Sequence, residues 1–201
     1  MTEDHYFTAE PASPAERRQR EVVLADRTVT VQTAGGIFSP DGIDKGTAVL
    51  LRHAPEPSGS GTFLDLGCGW GPLALTMALR SPDATVHAVD VNQRALDLVA
   101  RNAESLGLAQ VQALSPEEVP GDTAYDLIWS NPPIRVGKAV LHGLLRTWLP
   151  RLASGGQAWL VVQKNLGADS LQKWLTTEFP AMVVDRPTTS GGFRLIRVSR
   201  D

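Results

Sequence analysis

The residues best suited to do chemistry in this 201-residue chain are Asn131-Pro132-Pro133-Ile134, which directly follow the strand-like segment at 126–130. Prolines are poor strand residues, so they end that strand and stiffen the loop after it. An amino group conjugated to a ring or carbonyl is a weak nucleophile, because its lone pair is delocalised. Two acceptors that grip its two hydrogens, the Asn131 side-chain oxygen and the Pro132 carbonyl, can aim that lone pair at an electrophile. By itself, an Asn-Pro turn without chemistry is common.

A glycine-rich loop, Gly67-Cys68-Gly69-Trp70-Gly71, predicts a partner for that turn. Its spacing departs from the dinucleotide fingerprint, and a pyrophosphate would be repelled by Asp65. S-adenosylmethionine has no phosphate and carries an ammonium and a sulfonium, which a carboxylate attracts. Asp90 ends the next strand-like segment, where an acid can accept hydrogen bonds from ribose hydroxyls. The loop therefore predicts S-adenosylmethionine as cofactor; the alternative is that the glycines only serve a tight turn.

Composition and charge argue against several classes of protein. The formal net charge of −3 disfavours a surface coated with basic residues for non-specific nucleic-acid binding. Cys68 is the one cysteine and the four histidines are scattered, so we expect neither a disulfide nor a metal site. With no base near it in sequence, Cys68 is interpreted as a small residue packed against the cofactor. The polar start and the lack of an apolar run near roughly 20 residues predict a cytoplasmic protein without a membrane segment.

Alternating segments predict the frame that positions these residues. Two β-rich segments joined at Asp26-Arg27 predict a hairpin, and Asp44 can cap a helix that runs to about His53. Further helices are predicted at 72–80, 93–106, 138–152 and 168–179. Strands are predicted at 62–66, 85–89, 110–114, 126–130, 158–162, 181–184 and 193–198, with Gly155-Gly156 as a turn. Such alternation predicts an α/β fold with a doubly wound, mostly parallel sheet.

The motifs at 65–71 and 131–134, together with Asp90, resemble those of class I S-adenosylmethionine-dependent methyltransferases. More closely, the chain resembles the methyltransferase small domain family, which includes 16S ribosomal RNA guanine-N2 methyltransferases. The segments at 36–47 and 192–194 resemble the parts that this family carries before its cofactor loop and in its closing hairpin. The resemblance covers roughly residues 20–200.

This resemblance implies a Rossmann-like sheet of seven strands with the last strand antiparallel, and a 36–47 segment that lines the methionine end of the cofactor. We accordingly expect a polar lead-in at 1–20 and a single domain at 21–201, in which a hairpin and helix at 21–60 precede the core at 61–201. The expected catalytic residues are Asn131, Pro132 and Pro133. The expected cofactor-binding residues are Phe38, Lys45, Thr47, Asp65, Gly67, Cys68, Gly69, Gly71, Asp90, Val91, Leu114, Ser115 and Asn131. The expected substrate-binding residues are Ile134, Arg135 and Lys138.

Three features depart from the family pattern. Relatives often have an acidic residue near the adenine, where this chain has Ala113-Leu114-Ser115. Many amino-methylating relatives have an aromatic residue to stack on the base, where this chain has Ile134; such stacking is worth roughly 1–3 kcal/mol. Larger relatives carry a second, recognition domain, which we do not expect here.

The expected function is methylation of an exocyclic amino group, with guanine N2 of ribosomal RNA as the acceptor. Arg135 and Lys138 flank the catalytic loop and can meet phosphates; most other basic residues are interpreted as solvated surface. The same chemistry on a protein glutamine or a small-molecule amine or amide is the first alternative. A cofactor-binding module without catalysis is the second. The sequence leaves the oligomeric state open.

Overall fold

The N-terminal part of the fold is an antiparallel hairpin. The computed structural model describes residues 16–57 and 59–201, so residues 1–15 of the predicted lead-in lie outside the described residues. Strands β1 (Arg17–Leu24) and β2 (Arg27–Ala34) pair in register. Ala25 and Asp26 between them have φ of 46° and 61°, the left-handed pair that a tight hairpin turn requires. The hairpin is confirmed, but β1 begins at Arg17, inside the segment predicted as lead-in, because its charged, exposed start hides the strand pattern.

A seven-stranded sheet forms the centre of the described residues. Its strands are β3 (Ser60–Leu66), β4 (Asp83–Val89), β5 (Val111–Leu114), β6 (Tyr125–Ser130), β7 (Leu152–Gln163), β8 (Met182–Ser190) and β9 (Phe193–Arg200). The order is β5-β4-β3-β6-β7-β9-β8, with β9 antiparallel to both of its neighbours and β3 to β7 parallel. The predicted fold class is thereby confirmed. The chain leaves β3 towards one edge and β6 towards the other, so a topological switch point lies between β3 and β6, where open sheets bind ligands.

Five α-helices cover the sheet. They are α1 (Lys45–His53), α2 (Pro72–Arg80), α3 (Gln93–Ser105), α4 (Lys138–Trp148) and α5 (Ala168–Glu178). One apolar cluster packs α1, α2 and α3 against one face of the sheet, and another packs α4 and α5 against the other face. Four of the five tryptophans are buried in these clusters, as expected for core residues. Within the described residues, no helix combines the length and apolar character needed to cross a membrane.

The connection between α4 and β7 differs from the prediction. Helix α4 ends at Trp148 instead of continuing to residue 152, and a 3₁₀ turn containing Pro150 follows it. The predicted turn at Gly155-Gly156 is wrong, because β7 runs through both glycines with a shift in its register against β6. A Cβ on Gly156 would lie 2.7 Å from the backbone oxygen of Tyr125. These glycines therefore mark a bulge with close backbone approach.

Candidate active site

A cavity of about 370 Å³ lies along the edge of the sheet where the parallel strands end. It runs from the loop after β4, past the loops after β3 and β6, to the end of β7 and the start of β9. Its lining residues are Ile37, Phe38, Asp44, Gly67, Gly69, Asp90, Asn92, Ala95, Asn131, Pro132, Pro133, Ile134, Arg135, Val161, Gln163, Leu166 and Phe193. A narrow extension of about 20 Å³ adjoins it and is lined in addition by Thr47, Asp65 and Cys68. The cavity occupies the switch point, as the sheet topology predicts.

The three glycines of the loop after β3, Gly67, Gly69 and Gly71, have different structural roles. All three have positive φ, and no atom would lie within 4 Å of a Cβ on Gly67, which leaves room for a ligand there. A Cβ on Gly71 would instead lie 2.3 Å from a methyl group of Val99 on α3. Gly71 is therefore a packing requirement, and it does not line the cavity. Gly71 thus combines the positive φ of a tight turn with close packing, whereas Gly67 and Gly69 border the cavity.

Asp65 is fully buried and has one oxygen engaged and one without a partner. Its Oδ2 accepts the backbone N–H of Ala74 at 2.9 Å. This bond caps α2, whose N-cap residue Gly71 has no side chain to do so. Asp65 Oδ1 has no hydrogen-bond partner among the described residues, and Asp65 borders the narrow extension of the cavity. Burial, with a smaller contribution from the nearby Asp90, raises the pKa of Asp65 to about 8.

Asp90 is held at the end of β4 by two backbone donors. Its two oxygens accept the N–H groups of Gly69 and Asn92, each at 3.0 Å. Burial raises the pKa of Asp90, although these bonds oppose the shift. Each carboxylate oxygen has a second lone pair, so Asp90 can also accept from hydroxyl groups in the cavity. The side chain of Asn92 caps α3 and donates to the carbonyl of Gly36 at 2.9 Å, which ties the 36–47 segment to this end of the site.

Asn131 is oriented by α1. Its amide nitrogen donates to Asp44 Oδ2 at 2.8 Å and lies 3.1 Å from the Thr47 hydroxyl oxygen. Asp44 Oδ2 also accepts the backbone N–H groups of Gly46 and Thr47, so Asp44 is the predicted cap of α1 as well. Because a carboxylate only accepts hydrogen bonds, it fixes which end of the amide is nitrogen. The Asn131 side-chain oxygen therefore remains available as an acceptor at the cavity wall.

The two prolines after Asn131 are buried and hold the turn rigid. The Pro132 carbonyl accepts the N–H of Ile134 at 2.8 Å and retains a second lone pair. Ser130, the last residue of β6, donates its hydroxyl to the carbonyl of Leu66 at 2.7 Å. This bond ties the loop after β6 to the loop after β3, so the two predicted site segments are fixed to each other.

The structure brings most of the predicted site residues together. The predicted residues that border the cavity or its extension are Phe38, Thr47, Asp65, Gly67, Cys68, Gly69, Asp90, Asn131, Pro132, Pro133, Ile134 and Arg135. The predicted residues that border neither are Lys45, Gly71, Val91, Leu114, Ser115 and Lys138. Ser115 lies in the region where relatives often have an acidic residue and this chain has none. Its backbone N–H donates to the carboxylate of Glu118 at 2.7 Å.

Eight lining residues are absent from the expected site residues, although two of them, Ile37 and Asp44, lie in the 36–47 segment that is expected to line the methionine end of the cofactor. They are Ile37, Asp44, Asn92, Ala95, Val161, Gln163, Leu166 and Phe193. The sequence predicts Asp44 as a helix cap and Phe193 as part of the closing hairpin, but it does not connect either residue to Asn131. The sequence could have predicted a site role for Gln163, because this residue ends a strand that is parallel to β3 and β6, and ligands bind at that edge of the sheet.

The described residues contain one buried thiol and no cluster of metal-ligating side chains. Cys68 is buried, and burial together with Asp90 and Asp65 raises the pKa of its thiol, which opposes formation of a nucleophilic thiolate. No group of three or more His, Cys, Asp or Glu side chains within residues 16–57 and 59–201 is arranged to hold a metal ion. The available polar groups are instead the buried carboxyl of Asp65, the partly buried carboxyl of Asp90 and the oriented amide of Asn131.

These groups fit S-adenosylmethionine. The unpartnered oxygen of Asp65 borders a narrow space and suits an ammonium group, and Asp90 can accept from ribose hydroxyls. The open space over Gly67 admits the body of a ligand between them. None of these three features offers a phosphate a positive charge.

Comparison with known proteins places the chain among methyltransferases. Residues 28–197 match the family model of the methyltransferase small domain. YbxB of Bacillus subtilis is 34% identical over 170 residues, which cover 83% of this chain and 85% of that protein. Ribosomal RNA small subunit methyltransferase C of Hahella chejuensis is 35% identical and covers 69% of this chain. Ribosomal RNA large subunit methyltransferase G of Pseudomonas aeruginosa is 30% identical and covers 79%.

A solved structure shares the fold. The 16S rRNA N2 G1207 methyltransferase of T. Thermophilus, in complex with AdoMet and guanosine, superposes with a TM-score of 0.76 at 24% identity over 94% of this chain. This chain spans 52% of that protein, and 42% and 43% of the two ribosomal RNA methyltransferases. It therefore corresponds to about half of each of these larger proteins.

Proposed function

The chain belongs to the methyltransferase small domain family of S-adenosylmethionine-dependent methyltransferases, and from this premise we propose that it methylates the exocyclic N2 of a guanine in ribosomal RNA. The observation that carries the proposal is the fixed orientation of the Asn131 amide by Asp44. This orientation leaves the side-chain oxygen of Asn131, a hydrogen-bond acceptor, available to the substrate that receives the methyl group. An amino group with two hydrogens is the chemical group that such an acceptor suits.

Three residues would hold the cofactor. Asp65 would receive the ammonium on its unpartnered oxygen, Asp90 would accept from the ribose, and Gly67 would leave room between them. When bound there, S-adenosylmethionine supplies a methyl group on a positively charged sulfur that leaves as a neutral thioether. A cation beside Asp65 favours the ionised carboxyl, so binding would lower the raised pKa of this group.

The turn at Asn131 would then position the nitrogen. The Asn131 side-chain oxygen and the Pro132 carbonyl would each accept one hydrogen of the amino group, which directs the nitrogen lone pair away from both. Because the prolines, Asp44 and the Ser130 bond hold the two acceptors before substrate arrives, no reorganisation is needed at reaction. The proton released by the methylated nitrogen can pass to water, so no basic side chain is required.

Unpaired cations near the cavity support a nucleic-acid acceptor. Arg146, Arg186 and Arg197 are neutralised by Glu178, Asp169 and Asp185 respectively, which agrees with their interpretation as ordinary surface. In contrast, Arg135 lines the cavity, and neither it nor Lys138 nor Lys164 forms an ion pair within the described residues. Cations at the mouth of a site are placed to contact phosphates that flank a bound base. The names of the curated relatives also point to ribosomal RNA.

The test is methyl transfer from labelled S-adenosylmethionine to hypomodified ribosomal RNA from both subunits. We expect label in RNA, recovered as N2-methylguanosine after digestion. N131A should lower kcat by at least about 100-fold, which is the effect of losing one hydrogen bond in the transition state. N165A, which changes an exposed Asn outside the cavity, is the matched control. Label in another nucleoside would refute the N2 assignment, and no label in any RNA would refute the substrate class.

One observation favours a second acceptor class. Ile134 gives the catalytic turn an aliphatic wall without a ring, and the same two acceptors fit the amide of a protein glutamine or of a small molecule. Fractionation of the labelled products separates the two. Label in a protein or small-molecule fraction, with none in RNA, would support this class instead.

A further inference from the structure

Beyond Asn131 in the strand order, the cavity is lined by residues at the end of β7 and the start of β9 that have no part in the proposed cofactor site, and we refer to this part as the second half of the cavity. We propose that this half is the binding site of a guanine base, with Phe193 as its stacking surface and Gln163 as the group that reads its edge. This proposal rests on the proposed function, and it specifies which residues hold the target base. The remaining walls of this half are Ile134, Val161 and Leu166.

The sheet places these residues beyond Asn131. Asp90 follows β4, the glycine loop follows β3, Asn131 follows β6, Gln163 ends β7, and Phe193 begins β9. These strands are consecutive neighbours in the order β4-β3-β6-β7-β9. Along the edge of the sheet the catalytic turn therefore lies between the cofactor residues on one side and Gln163 and Phe193 on the other.

Gln163 and Phe193 act as one surface. They are direct partners in the antiparallel register of β7 and β9, so their side chains project from the same face of the sheet. Val161, two residues before Gln163, projects from that face as well. All three border the cavity. The pair thus offers an aromatic face beside a side-chain amide.

The ring of Phe193 is fixed close to the catalytic turn. A Cβ on Gly46 would lie 3.0 Å from Phe193 Cε1 and equally 3.0 Å from Asp44 Oδ2. The ring and the carboxylate that orients Asn131 are therefore close neighbours against the first turn of α1. The hairpin that carries the ring is tied down because the N–H of Lys164 donates to the carbonyl of Gly192 at 2.8 Å.

The chemistry of this half selects a flat heterocycle. Ile134 has no ring, and Phe38 borders the narrow extension as well as the cavity. Phe193 supplies an aromatic face at the end formed by β7 and β9, where aliphatic side chains complete the slot. The exposed amide of Gln163 has no hydrogen-bond partner among the described residues. An amide can donate to O6 and accept from N1–H, which is the edge of guanine next to N2. An aliphatic carboxamide has no aromatic ring to stack on Phe193.

Binding of guanosine 5′-monophosphate to the full chain with S-adenosylhomocysteine present tests the stacking surface, by ligand-observed NMR. We expect F193L to raise its Kd by roughly 5- to 150-fold and F193Y to stay within about twofold of wild type, since it keeps the ring. S-adenosylhomocysteine affinity should be unchanged in both. F179L, which removes a ring packed on Trp174 away from the cavity, is the matched control and should leave both affinities unchanged.

Discrimination between guanosine and 2-aminopurine riboside tests Gln163, because the second nucleoside lacks O6 and N1–H but keeps the amino group. Wild type should prefer guanosine by roughly 2- to 12-fold, the worth of one hydrogen bond, and Q163L should lose that preference. Q172L, in which the lost amide contacts only Arg186 on the surface, should keep it. Equal affinities in wild type would overturn the role of Gln163.

These outcomes separate the base site from the proposed function. Nucleotide binding that depends on Phe193, without methyl transfer to RNA, would support the site and refute the ribosomal RNA assignment. Transfer to RNA with an unchanged KM and kcat in F193L would support the function and overturn the site. Absence of any guanosine monophosphate binding by wild type would also overturn the site.

Discussion

Replacing Asp65 with Asn is expected to leave the folded protein at least as stable as wild type while weakening cofactor binding. Asn keeps an oxygen for the Ala74 N–H and places a neutral group where the unpartnered Oδ1 lies. Because burial raises the pKa of Asp65 to about 8, the ligand-free protein carries a neutral carboxyl at neutral pH. The D65N variant imitates that neutral form.

The pH dependence gives the sign and size of the stability effect. The unfolded chain ionises this carboxyl near its ordinary pKa of 3.8, whereas the folded protein keeps the proton until about pH 8. The folded state therefore binds one more proton in this window. The stabilising contribution of the protonated carboxyl is full below about pH 4 and is lost as the pH rises to about 8, at about 1.4 kcal/mol per pH unit. The D65N variant has no ionisable group at this position, so its stability does not fall with pH for this reason.

Urea unfolding of both proteins, followed by the fluorescence of the buried tryptophans, measures the effect. The unfolding free energy of D65N minus that of wild type should grow by about 1.4 kcal/mol per pH unit between about pH 5 and pH 7. Asp90, whose pKa is also raised, is present in both proteins and largely cancels. Parallel pH profiles, or a D65N variant that is less stable at every pH, would refute the neutral-carboxyl assignment.

Calorimetric titration with S-adenosylhomocysteine, which keeps the ammonium, measures the binding side. Wild type should release up to about one proton on binding near pH 7, read from buffers of different ionisation enthalpy. D65N should release less and should bind roughly 10- to 150-fold more weakly, the worth of a hydrogen bond to a charged group. Unchanged affinity and proton release would show that Asp65 serves only to cap α2.

Three further predictions concern the supports of the site. D44A should lower the unfolding free energy by about 0.5–2 kcal/mol through loss of the α1 cap, and its effect on kcat should be larger than its effect on KM. D44N should retain the cap. Equal kcat in wild type, D44A and D44N would exclude a positioning role for Asp44. G71A should destabilise the protein by about 1–3 kcal/mol through its φ of 96° and its contact with Val99, while G67A should lose cofactor affinity with a smaller fall in Tm; equal stability losses would contradict the division of roles between these glycines. R135A should lower the salt dependence of RNA binding by about one unit of slope, and the ion-paired Arg146 provides the control R146A; identical slopes would argue against a phosphate contact by Arg135.

Local features of the fold followed from the sequence because short-range rules decide them. The turn at Asp26, the cap at Asp44 and the helix starting at Pro72 depend on residues within a few positions of each other, and all three are confirmed. The alternation of strands and helices likewise predicted a doubly wound sheet. The bulge at Gly155-Gly156 escaped prediction, because its cause is the backbone of Tyr125 on the neighbouring strand.

The sequence by itself determined the chemical groups of the site: a glycine loop with Asp65 before it, Asp90 at the end of the next strand, and the Asn131-Pro132-Pro133 turn. Only the tertiary structure decided what each group does. Asp65 divides its two oxygens between a helix end and the cavity, and Asp44, 87 positions from Asn131, fixes the orientation of its amide. The physical reason is that side-chain direction is local, whereas strand order and register select which distant side chains meet. The pairing of Gln163 with Phe193, which border the same cavity as the Asn131-Pro132-Pro133 turn, follows from the register of β7 and β9.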